Sequence, residues 1–146
     1  MAIVLSTGTI NKTRSTVNAH IELLNLSNFF RRVRVQVINW DSRTSLLDQT
    51  VNVSPNTNFA ITTSVRDVSF HYEIRVTVPT TRNLIVNTFA VDSGTFTVEN
   101  NTVLQHQLVR IFPPFAIFKK AQTKSRVKVS KKPLTTKALI RKSVKK

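Results

Sequence analysis

Three histidines and seven carboxylates are this sequence's means for metal binding or acid–base work, and two of the histidines stand two residues ahead of a glutamate. His20-x-Glu22 and His71-x-Glu73 would each put an imidazole and a carboxylate on one face of an extended strand, about 7 Å apart along it. Two such pairs on adjacent strands can offer nitrogen and oxygen ligands to a divalent metal. Both pairs fall on faces expected to be polar, however, where a solvated His and Glu need no special cause, and no metal site is assigned. His106 lies between Gln105 and Gln107 and reads as an exposed or edge residue of the last strand. Nucleophilic catalysis lacks a cysteine and a Gly-x-Ser-x-Gly elbow. Two glycines cannot build a phosphate-cradling loop, and nothing selects a pair among the seven acids for glycoside hydrolysis. The chain reads as a non-enzyme without a cofactor.

The charge is more informative. The formal net charge is +15 over 146 residues, but residues 1–112 hold ten Lys and Arg against all seven acids. Residues 113–146 hold twelve and no acid. The type of base also changes, from nine Arg and one Lys to two Arg and ten Lys. Two segments under different physical demands share one polypeptide, a domain over 1–112 and an extension over 113–146. The basic residues of the extension are Lys119, Lys120, Lys124, Arg126, Lys128, Lys131, Lys132, Lys137, Arg141, Lys142, Lys145 and Lys146. Such a run condenses onto DNA, RNA, anionic lipid or an anionic wall polymer, with an affinity that falls steeply with salt. Lysine suits point-charge contact with phosphate more than bidentate base reading. No aromatic follows Phe118 to stack on a base. Arg126-Val127-Lys128-Val129 and Ala138-Leu139-Ile140 can order on a partner but are too short to stand alone in water.

The segments ahead of the extension alternate with a period of two. Residues 31–40, RRVRVQVINW, carry Val33, Val35 and Val37 between Arg32, Arg34 and Gln36, so one face is dry and the other polar. Ala19, Ile21 and Leu23 repeat the pattern, as do Leu47, Val51 and Val53, then Phe59, Ile61, Thr63 and Val65, then Tyr72, Ile74, Val76 and Val78. Turn residues separate the runs: Asp41-Ser42-Arg43, Ser54-Pro55-Asn56, Arg66-Asp67, Pro79-Thr80-Thr81-Arg82 and Asp92-Ser93-Gly94. With Gly8 and Gly94 the only glycines, Asn, Asp and Ser are expected to supply the tight conformations. The asparagines at 11, 25, 52 and 100 head Asn-x-Ser/Thr triplets, most simply read as turn chemistry. About eight short strands with no helical-period segment between them predict an all-β, antiparallel β-sandwich, jelly-roll or immunoglobulin-like. Residues 1–18 are expected to form a short edge strand or an arm, and residues 102–111 one last strand.

Phe112-Pro113-Pro114-Phe115-Ala116-Ile117-Phe118 closes the domain, because two prolines cannot donate ladder hydrogen bonds. Its apolar residues would expose on the order of a few hundred square ångströms. They either fold back over an open end of their own sandwich or dock on a neighbouring subunit, through Phe112, Phe115, Ile117 and Phe118. The amino terminus MAIVLSTGTINK lacks a basic n-region and a long apolar run, and no window approaches the roughly eighteen apolar residues of a membrane span. The expectation is a chain made in the cytosol without a signal peptide and without a transmembrane segment.

Leu5-Ser6-Thr7-Gly8-Thr9-Ile10-Asn11, the run VRVQVINWD over 33–41 and NTVLQHQLVRI over 101–111 resemble small β-sandwich proteins of endospore-forming bacteria, a group that includes self-assembling subunits of spore-surface appendages. The resemblance covers roughly residues 4–111. It implies a sandwich whose subunits join through an amino-terminal arm and through sheet edges, at a spore or cell surface. Members often lock these contacts with cysteines, which this chain lacks. The expected function is that of a structural, self-assembling subunit of a surface fibre or layer. Its partners would be copies of itself and an anionic polymer, nucleic acid or wall polymer, held by the tail. The competing class is a nucleic-acid-associated protein such as a small jelly-roll coat protein.

Overall fold

A computed structural model describes residues 2–93 and 97–111. Ten strands follow in chain order: β1 (Ile3–Ser6), β2 (Ile10–Asn11), β3 (Asn18–Asn25), β4 (Arg31–Asn39), β5 (Thr44–Val53), β6 (Thr57–Ser64), β7 (His71–Val78), β8 (Leu84–Val91), β9 (Thr97–Val103) and β10 (Val109–Ile111). They form two antiparallel sheets. One has the order β10-β1-β7-β4-β5 with β2 also on β7, and the other β6-β3-β8-β9. The chain is an all-β sandwich, and every connection other than β1–β2, β4–β5 and β8–β9 passes from one sheet to the other.

Alternation decides which side chains meet. Val33, Val35 and Val37 from β4 and Tyr72, Ile74, Val76 and Val78 from β7 face Ala19, Ile21 and Leu23 from β3 and Leu84 and Val86 from β8. All are at most 2% exposed, so the core is continuous and dry, and its burial is the dominant stabilising term. Beyond the strand ends Val65 and Val68 are also buried. Phe59, on the same face of β6 as buried Ile61, stays 38% exposed because β6 lies at a sheet edge.

Three expectations are corrected. Among the described residues strands number ten, and both terminal runs split. The first breaks at Gly8, whose φ of 66° ends β1 before β2 resumes on the same neighbour. Its first part is not an edge strand or free arm, since β1 lies between β10 and β7, bonded on both sides, whereas β2 pairs only with β7 among the described residues. The run 102–111 is likewise not one strand. Gln105–Gln107 form a 3-10 turn, held by the Leu104 N–H donating to Gln107 Oε1 at 2.8 Å and the Val86 N–H donating to Gln105 Oε1 at 2.8 Å. The turn moves the chain from β9 in one sheet to β10 in the other, and it carries exposed His106. Asparagines do supply tight conformations, with Asn56 at φ 52° and Asn83 at 57°, joined by Arg43 at 54°.

Candidate functional site

The side chains expected to make contacts, Phe112, Phe115, Ile117 and Phe118 together with the twelve bases of 119–146, lie outside the described residues. The structure fixes where that segment departs. Ile111 ends β10 opposite Val4, at the end of the sandwich shared by residues 26–30, 54–56 and 79–83.

Those loops are tied by one buried amide. Asn25, fully buried, places Nδ2 within 2.8, 3.1 and 2.9 Å of the carbonyl oxygens of Phe29, Val53 and Ser54, while its Oδ1 accepts from the Ser27 N–H and Oγ. The Leu26 N–H donates to Asn83 O and the Asn56 N–H to Ser27 O. Held in this way, the loop presents Phe29 at 71%, Phe30 at 69% and Leu26 at 50% exposure. Beside them stand Arg31 and Arg82, Arg32 lies on the outer face of β4 near Pro79, and Arg110 reaches Thr81 Oγ1 at 3.2 Å. Among the described residues no acid lies in this end of the sandwich. Asp41, Asp67 and Asp92 sit in loops at the other end, Glu22, Asp48 and Glu73 sit mid-strand, and Glu99 falls within β9, whose Thr97 pairs with Val91.

One flank of the sandwich is formed by two sheet edges. Among the described residues β5 pairs only with β4, and β6 only with β3. The two strands adjoin through the turn at 54–56. A bulge opposite Val37 and Ile38 disturbs the start of β5, but from Leu47 to Val53 the register is unbroken. Neither strand holds a Lys, Arg or Pro, the usual guards of an edge. Asp48, the one charge, is already taken by Arg34, whose Nε and Nη2 each donate to it at 2.7 Å.

The two histidine pairs go to separate uses. His20 Nδ1 lies 2.8 Å from Thr62 Oγ1 and Nε2 3.5 Å from Glu22 Oε1, a polar row across β6 and β3 with the ring tilted against Phe89. His71 Nδ1 lies 3.3 Å from Asp41 Oδ1. That carboxylate also accepts from the backbone N–H groups of Phe70 and His71, which hold its pKa below the usual range although some desolvation opposes them. Glu73 is not on a solvated face: it is 4% exposed and bound by Arg75 through Nε at 2.8 Å and Nη2 at 2.9 Å, by the Trp40 indole at 2.9 Å and by Ser6 Oγ at 2.5 Å. Arg75 also lies 5.8 Å from the Trp40 ring centroid. Burial pushes the Glu73 carboxyl up, but these donors and the Arg75 charge outweigh it and hold the pKa below its ordinary 4.5. Among the described residues no three His, Asp or Glu side chains converge as metal ligands.

Comparison with protein-family models, curated proteins and solved structures returns no match to this chain. Among the described residues no helix is long and apolar enough to cross a membrane.

Proposed function

We propose that this chain is a structural, self-associating β-sandwich subunit of a surface fibre or layer, with a lysine-rich tail that holds an anionic polymer. The observation that carries the reading is the β5–β6 flank, where two long strands without Lys, Arg or Pro have, among the described residues, no strand paired on their outer sides, and so offer backbone N–H and C=O groups to a neighbour. The interior position of β1 gives the flank more weight, because Ile3–Ser6 is bonded on both sides within its own sheet and is not a free strand to donate. The body also offers the tail little charge of its own: Asp48, Glu73, Asp41 and Glu22 all have cationic or donor partners within it. The twelve bases in the sequence after residue 118 therefore far outnumber the body's three other acids, Asp67, Asp92 and Glu99. In this reading Phe112, Phe115, Ile117 and Phe118 dock on the neighbour.

The test is assembly in lipid-free buffer, followed by negative-stain electron microscopy and light scattering. Wild type forms fibres or sheets, and Gln49→Lys with Ala60→Lys leaves monomers that melt at an unchanged temperature. Assembly by the double variant identical to that of wild type overturns the role of the flank. Protein purified with 260 nm absorbance that high salt removes, and with no assembly of its own, favours the small jelly-roll coat protein instead.

A further inference from the structure

We propose that the basic end of the sandwich is a docking surface for an anionic lipid bilayer, with Leu26, Phe29 and Phe30 entering the headgroup layer. The inference rests on the tail being a polyanion anchor, but not on self-association. Two independent features of one end meet the two requirements of peripheral membrane attachment, buried apolar area and attraction to anionic headgroups.

The apolar part is a loop tip. Phe29 and Phe30 are consecutive and both about 70% exposed, and Leu26 adds an aliphatic side chain at 50%. A nucleic acid strand would gain from stacking on the phenylalanines and nothing from Leu26, whereas a bilayer accepts all three. The Asn25 amide holds this loop against residues 53–54, so the tip is presented without a further ordering penalty.

The charged part surrounds the tip. Arg31 and Arg82 flank it, Arg32 lies near Pro79 on the outer face of β4 and Arg110 beside residues 79–83, with no acid at this end among the described residues. The chain leaves the sandwich at the same end and continues into twelve bases. The opposite end mixes Lys12, Arg14, Arg43 and Arg66 with Asp41, Asp67 and Asp92. The molecule is thus polarised along its strands, and a negatively charged surface orients it with Phe29 and Phe30 foremost.

The full chain is tested by co-sedimentation with phosphatidylcholine vesicles with and without phosphatidylglycerol. Binding to the anionic vesicles alone is expected, weakened at least about tenfold by Phe29→Ser with Phe30→Ser, as loss of two buried aromatic side chains requires. Arg32→Gln with Arg82→Gln weakens it at low salt, and the deficit shrinks as salt is raised. Phe30→Trp gives an emission that shifts to the blue on anionic vesicles, while wild type, whose Trp40 lies at the far end, does not shift. Three results overturn the proposal: no sedimentation with anionic vesicles, sedimentation indifferent to the serine variant with no blue shift, or a serine variant that alters oligomeric state or single-stranded DNA binding and leaves lipid binding intact. Because the edge variant is scored without lipid, failure of the assembly reading and failure of this one are separate results.

Discussion

Glu73 and Tyr72 are neighbours in sequence on opposite faces of β7, and they show how differently a buried polar group can be managed. The Glu73 carboxylate receives donors from Ser6, Trp40 and Arg75. Its pKa is depressed in the folded chain, so its contribution to stability is complete above about pH 4.5 and drains away as pH falls through the folded pKa. Glu73→Gln is expected to cost about 3 kcal/mol at neutral pH, since it leaves Arg75 without its counter-charge. The gap to wild type narrows in acid, and thermal melts from neutrality to about pH 3 measure it. An undiminished gap at the acid end refutes the pairing. The Tyr72 hydroxyl is buried with no hydrogen-bond partner among the described residues, and burial pushes its pKa up to about 12. Tyr72→Phe removes an unsatisfied group at constant shape, so its stability at neutral pH is expected to equal or exceed that of wild type. The variant also lacks the alkaline loss that wild type shows from pH 10 towards about 12, where the unfolded phenol ionises before the folded one. A clear drop in melting temperature at neutral pH contradicts this account.

At the scale of elements, Gly8 sets how the first strands lie. Its φ of 66° lets β1 and β2 both pair with β7, and its N–H donates to Ser6 Oγ at 2.8 Å. A Cβ there would meet nothing within 4 Å, so Gly8→Ala is destabilising through backbone strain alone, by about 1–2 kcal/mol. Gly8→Asn is milder, because asparagine tolerates the left-handed region. Chemical denaturation of both variants checks the order, and equal losses would point to packing instead. The same strands show what periodicity reveals. Val33, Val35 and Val37, and Tyr72 to Val78, point inward as their alternation requires, because a half-buried strand writes its dry face into every second residue. Burial of Glu73 was not legible, since that face is covered by the Trp40 indole and the Arg75 side chain, contacts that strand order creates. Strand order also places β1 inside its sheet and sends β10 to the sheet opposite β9, and a two-residue repeat carries no record of neighbours. The basic end was legible only in part. FFRRVR stands in the sequence as one run, but its meeting with Arg82 and Arg110 depends on the fold.

For the whole molecule, a body carrying its dry core within residues 3–111 and a tail carrying most of the charge should separate cleanly. Deleting residues 112–146 removes Phe112, Phe115, Ile117, Phe118 and all twelve tail bases, and leaves intact the core cluster that the described residues form. The truncated chain is therefore expected to melt cooperatively near the wild-type temperature and to remain monomeric under conditions in which the full chain assembles. Its binding to a polyanion such as heparin or single-stranded DNA changes in a way that reads out the number of charges engaged. Each neutralised phosphate adds roughly 0.7 to 0.9 to the slope of log affinity against log salt. The full chain, with up to twelve tail charges beside the arginine end, shows a steep slope, whereas the body alone, with Arg31, Arg32, Arg82 and Arg110, shows a shallow one. Equal slopes would place the polyanion contact on the sandwich, and a truncated body that still builds the wild-type assembly would remove the apolar junction from subunit contact and leave the β5–β6 flank to account for it alone.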